Sequence, residues 1–133
     1  MRITIELDGR PPTANAERRG SGSHWAKRAA STSSWRERAQ LRGIEARRAM
    51  RIAPHAHTIE VTAQQLSKDR RWLQDIGACA PAVKACIDGL VDARIVANDT
   101  PEHLTRLSYI GPDICGRDGL RLIIDLTPIE AAA

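Results

Sequence analysis

At 133 residues and 14.6 kDa the chain fits one domain, long enough to bury roughly two-thirds of the surface that its unfolded form exposes. With 42% hydrophobic residues, 27% charged residues and only three Trp and one Tyr as aromatic rings, the core has to be built from Leu, Ile, Val and Ala. The net charge of +4 divides unevenly: residues 1–72 hold 15 Lys and Arg against 7 Asp and Glu, and residues 73–133 hold 5 against 9. A basic half suits phosphate and an acidic half suits cations, although a solvated charged surface gives the same balance.

Several classes are excluded at once. No stretch approaches the ~20 apolar residues of a membrane span, so no membrane partner is expected. Cys79, Cys86 and Cys115 cannot all pair and match no CxxC spacing, which reads as reduced thiols of a cytosolic protein and not as a zinc or disulfide scaffold. The opening residues alternate apolar and polar, unlike the continuous apolar run of a signal peptide.

In chain order, Ile3, Ile5 and Leu7 predict a first strand that ends at the turn Asp8-Gly9-Arg10-Pro11-Pro12. The Gly-, Ser- and Arg-rich segment from about residue 10 to 34 reads as a flexible basic loop, in which Arg18, Arg19, Lys27 and Arg28 are candidate phosphate contacts. A helix with a cationic surface is predicted from about Trp35 to Met50, capped by Ser33 or Ser34 and stopped by Pro54. His57 to Gln64 alternates as a second strand, and Gln65 to Leu73 reads as a charged connection carrying Arg70 and Arg71, two further candidate DNA contacts.

Pro81 suits the first turn of a second helix, whose Val83, Ile87, Leu90 and Val91 repeat as one apolar stripe. Lys84, Asp88 and Asp92 lie on another face at i, i+4 and i+8. Asn98 to Pro101 form a turn, and strands are expected over Leu104–Ile110 and Leu120–Leu126. The order β, α, β, α, β, β implies a single-domain α/β fold, a small mixed sheet with two main helices packed on it.

Asp75 before the second helix, Lys84 and Asp88 on it, and Asp99 after it form the chain's chemical constellation. Two carboxylates ~4 Å apart repel by ~4 kcal/mol at an effective dielectric of ~20, a cost that a magnesium ion relieves. Such an ion, with a lysine beside it, supplies what phosphodiester hydrolysis needs: an activated water and stabilisation of developing charge. The structural alternative is an i, i+4 ion pair between Lys84 and Asp88, with Asp99 the Asx residue of a turn. His103 reads either as a proton carrier or as a hydrogen-bonded surface residue, and Trp72 either as a base-stacking platform or as core.

The stretches Pro11-Pro12-Thr13-Ala14-Asn15, Asp75, Pro81 to Ala93 and Asn98-Asp99-Thr100-Pro101-Glu102-His103 together resemble the RusA family of Holliday-junction resolvases, in its shorter phage and prophage form. The resemblance spans nearly the whole chain and is most specific over residues 75–103. It implies a homodimer in the bacterial cytoplasm that uses Mg2+, or Mn2+ in its place, to resolve four-way DNA junctions by paired symmetric nicks. Carried over by position, it makes Asp75, Asp88 and Asp99 metal ligands, and all three with Lys84 the catalytic set. The sequence departs from the family pattern where Ala78 and Ala80 stand at the two acids that usually precede the lysine, and where Asn98 stands at the first acid of the later pair. Those departures leave room for a junction-binding protein that does not cut.

Overall fold

The computed structural model describes residues 1–12, 22–71 and 73–130, with backbone alone over residues 22–31. Six elements follow one another: β1 (Arg2–Asp8), α1 (Gly22–Ala49), β2 (His57–Ser67), α2 (Ala80–Asp92), β3 (Leu104–Ile114) and β4 (Gly119–Pro128). The four strands form one mixed sheet in the order β1-β4-β2-β3. β4 runs antiparallel to both neighbours, and β2 and β3 are parallel, joined by the crossover helix α2 as parallel strands require.

Period-two alternation decides which face is buried. Ile3, Ile5 and Leu7 stand opposite Ile124, Leu122 and Leu120, while Ile59, Val61 and Ala63 stand opposite Leu126, Ile124 and Leu122 on the other side of β4. All are buried and join one core with Trp35 and Ala39 of α1 and Val83, Cys86 and Leu90 of α2. Both helices therefore cover the same face, giving two layers. The opposite face is polar and is tied by Arg121, which donates to Gln64 at 2.9 Å, Asp113 at 3.1 Å and Glu6 at 3.3 Å, reaching all three other strands.

Two sequence expectations are corrected. α1 starts at Gly22, so the basic loop expected over residues 10–34 is helical from Gly22 onward, and Ser33 and Ser34 lie inside the helix as non-capping residues. Ala26, Lys27, Arg28, Ala29 and Ala30 are good helix formers with no proline among them, and they outweigh the local Ser and Gly content. Residues 13–21, including Arg18 and Arg19, lie outside the described residues.

β2 also extends through Gln65, Leu66 and Ser67, which the sequence placed in a connection. A central strand is held on both sides, and Leu66 pairs with Gly119 on β4 and Asp113 on β3. Its burial ends the alternation: Gln65, Leu66 and Ser67 are all buried, next to a register shift against β3.

α2 lies close against α1 because Gly89 has no side chain. A Cβ there would collide with the Arg36 carbonyl oxygen and sit 3.0 Å from the Ala39 Cβ. This approach brings the outer faces of the two helices to a shared cleft.

Candidate active site

Burial of Ala82, Val83, Ala85, Cys86, Ile87 and Leu90 fixes the rotation of α2. Lys84 is left exposed and Asp88 half-buried on the side toward the cleft. Lys84 Nζ donates to Asp88 Oδ1 at 3.0 Å, one turn along the helix. The same ammonium donates to Asp99 Oδ2, fifteen residues on.

Asp99 reaches Lys84 because the chain reverses immediately after α2. Ala93 N–H donates to the Gly89 carbonyl at 2.9 Å and Ile95 N–H to the Leu90 carbonyl at 3.2 Å, with Arg94 in the left-handed conformation at φ 64°. This is a helix-terminating turn of the kind usually built on glycine. It sends Ile95 and Val96 into the core. The next turn, closed by Thr100 carbonyl bonds to the N–H groups of His103 and Leu104 at 2.9 Å each, carries Asp99 back to the helix.

α1 supplies the other wall. Arg36 forms a two-pronged pair with Asp92, Nε to Oδ2 at 2.7 Å and Nη2 to Oδ1 at 3.0 Å. Together with Thr32, Ser33, Pro81, Lys84 and Asp88 it lines a cleft of about 390 Å3 between the helices. The cleft thus presents two cations, each held by carboxylates of α2 or of the turn after it.

The charges set one another's protonation. The hydrogen bond from Lys84, with its positive charge, holds the Asp99 carboxyl below the usual carboxylate range. Its bonds to Asp99 and then Asp88 raise the Lys84 pKa, against an opposing effect of burial. Arg36 lowers the Asp92 pKa in the same way.

Of the acids expected to converge, Asp88 and Asp99 meet through Lys84. Asp75 stands on the exposed turn before α2, where its carbonyl accepts the Ala78 N–H at 3.0 Å, and is not a partner of that bridge. Among the described residues no group of three or more His, Cys, Asp or Glu is set to hold a metal ion. Two carboxylates still meet the chemistry of Mg2+, which ordinarily takes one or two from protein and completes its shell with water and substrate phosphate. The ammonium of Lys84 occupies the cationic position between them.

Arg70 and Arg71 lie exposed just beyond β2, the latter donating its backbone N–H to Asp69 Oδ1 at 2.8 Å. Lys27 and Arg28 fall on the first turns of α1, with side chains outside the described set, and Trp72 is outside it altogether. His103 Nδ1 lies 3.1 Å from Thr100 Oγ1, which places the ring within the turn that carries Asp99. Sequence reasoning missed Arg36 as a site residue, because nothing local links it to Asp92, 56 positions away. The one available signal was Gly89 on a helix face that otherwise buries larger side chains. No protein-family model matches the chain, and no curated protein matches it either.

Proposed function

We propose that this protein is a magnesium-dependent, structure-selective endodeoxyribonuclease that resolves four-way DNA junctions by paired symmetric nicks, working as a homodimer in the bacterial cytoplasm. The observation that carries the reading is the Lys84 ammonium held between Asp88 and Asp99 at a cleft whose facing wall is Arg36. Asp88 and Asp99 would hold Mg2+, with Mn2+ accepted by the same oxygen donors. Bound there, the cation supplies a Lewis acid and an activated water. Lys84 and Arg36 bring positive charge to the phosphate and oppose the charge that builds on it during hydrolysis. The resemblance of residues 75–103 to RusA-type resolvases adds the substrate: a branched junction, close to two-fold symmetric, that a dimer cuts twice.

A second reading is a catalytically impaired junction-binding protein. Ala78 and Ala80 favour it, since neither can replace a carboxylate, as does the position of Asp75 outside the Lys84 bridge.

Incubation with a synthetic mobile four-way junction and magnesium, beside linear duplex of the same sequence, separates the two. Paired nicks on opposing strands that disappear with chelator support the nuclease. Tight junction binding with no cutting in either magnesium or manganese supports the binder. Absence of any preference for the junction over duplex overturns both.

A further inference from the structure

Among the described residues β1 is an edge strand whose outer side has unused pairing capacity, and its hydrogen-bond parity fixes which residues present it. Gly9 N–H donates to the Asp118 carbonyl at 3.0 Å and Leu126 N–H to the Met1 carbonyl at 2.8 Å. In an antiparallel ladder alternate residues bond the same neighbour. The odd-numbered residues of β1 therefore bond β4, and the N–H and C=O groups of Arg2, Thr4, Glu6 and Asp8 point away from the sheet. Arg38 Nη1 takes the Asp8 carbonyl at 2.7 Å. Among the described residues, no hydrogen bond reaches the outward backbone groups of Thr4 or Glu6.

The edge opens on a groove beneath α1. Two adjoining hollows of about 420 and 380 Å3 run along Thr4 to Asp8, with Leu41, Arg42, Glu45 and Ala46 on the helix side. Leu41 is 61% exposed there. The other edge differs: β3 carries Pro112, a device that blunts an edge against pairing. β1 carries neither proline nor glycine.

We infer that β1 is a self-pairing edge, which joins a second copy of this chain antiparallel about a two-fold axis at Ile5 to continue the sheet across the dimer. Side-chain charge is compatible with one register, in which the cross-strand contacts add to ion pairs that Arg2 already makes with Asp125 and that Asp8 makes with Arg117. Placing Ile5 opposite Ile5 of the partner subunit sets Arg2 against the partner's Asp8 twice, and Thr4 against the partner's Glu6 twice. All of these are outward-facing residues on one face, and the Asp8 carbonyl, which accepts from Arg38, has a second lone pair for the partner strand. Shifting the axis to Glu6 puts two carboxylates opposite each other, and shifting it to Thr4 shortens the overlap and leaves Asp8 without a cross-strand neighbour, so the axis at Ile5 has the longest overlap without a like-charge pair. A two-fold axis normal to the sheet keeps both copies of α1 on one face, with the exposed Leu41 on the groove beside the joined strands. The inference extends the homodimer of the proposed function, but it stands on strand geometry and is tested without DNA.

Light scattering on the purified full-length chain gives the test. Wild type is expected to be a dimer at tens of micromolar. Arg2→Asp and Asp8→Arg, each alone, face like charges twice in a homodimer of this register and are expected to dissociate at least tenfold more readily. An equimolar mixture of the two restores both opposite-charge pairs in a heterodimer, and recovery of the dimer mass on mixing supports the register. Thr4→Pro, which removes an outward N–H and no bond to β4, gives a folded monomer by circular dichroism and serves if either charge variant fails to fold. A monomeric wild type overturns the inference and the dimer of the proposed function together. A dimer unmoved by these variants, or one that fails to recover on mixing, overturns the β1 interface alone, and junction cleavage reports separately on the nuclease reading.

Discussion

Lys84 and Asp99 form an ion pair that fastens the turn after α2 back onto the face of that helix. Asp99 is held below the ordinary carboxylate range by this contact and Lys84 above the ordinary lysine value, so each favours the charged form of the other. The stability that the pair contributes is present while both are charged. It is lost as pH falls through the depressed Asp99 value, and lost again as pH rises through the raised Lys84 value. Both groups meet solvent, so the contribution is about 0.5 kcal/mol. Asp99→Asn should lower the urea midpoint slightly at neutral pH, with the difference closing on acidification below the ordinary carboxylate range of about 4. An undiminished difference at pH 2 would show that Asp99 acts through something other than its charge.

Removing Lys84 separates the ion-pair role from the chemical one. In Lys84→Met the two carboxylates lose the cation between them, so the affinity of the free protein for Mn2+, read by titration calorimetry, should rise. Under the proposed function junction cleavage should nevertheless fall by about a hundredfold or more, because the positive charge offered to the reacting phosphate would be gone. Cleavage at the wild-type rate would remove Lys84 from the chemistry.

How much of this was legible beforehand varied with the physics. Strands β1 and β4 were readable because one face of each is buried against the helices, so that strict alternation appears in Ile3-Ile5-Leu7 and Leu120-Leu122-Ile124-Leu126. α2 was readable from its apolar stripe. Leu66 and Ser67 were not, since a strand held on both sides ends in a run of buried residues with no alternation. The first turns of α1 were hidden by Ser and Gly, and their helicity is set by Ala, Lys and Arg between them. Lys84 with Asp88 followed from helix geometry alone. Asp99 joined them only through the left-handed Arg94 turn, and a sequence reader looks for glycine there.

Arg36 offers a test of the cleft that does not depend on cutting. Arg36 donates Nε–H and one Nη2–H to Asp92, which leaves three of its N–H donors for a phosphate. Arg36→Gln should weaken junction binding across all sequences alike and reduce the slope of log K against log salt by about 1. Asp92→Asn, which removes the competing anion, should strengthen binding. A salt slope unchanged in both variants would mean that DNA does not enter between the helices.

Gly89→Ala probes the approach of α2 to α1. The added methyl meets the Arg36 carbonyl, a backbone atom held within its helix, so the helices must separate. The expected cost is about 1–3 kcal/mol, measured as a lowered urea midpoint with unchanged m-value. Lys84 and Arg36 would also move apart, so junction affinity should fall even under conditions where the variant is fully folded. A variant as stable as wild type would show that the contact between the helices is looser than Gly89 implies.

The cysteines give a check on the core that needs no substrate. Cys86 is fully enclosed and its thiol donates toward the Trp35 carbonyl at 3.8 Å, while burial pushes its pKa up to about 12. Burial raises Cys79 in the same direction, and Cys115 is exposed. Reaction requires the thiolate and access to it. At pH 8 a disulfide reagent should therefore modify Cys115 rapidly and the other two only on the timescale of unfolding, with all three reacting at once in denaturant. Mass spectrometry of the partly modified protein identifies the site. Early labelling of Cys86 would mean that the junction of α1 with α2, on which the whole cleft depends, opens in the native state.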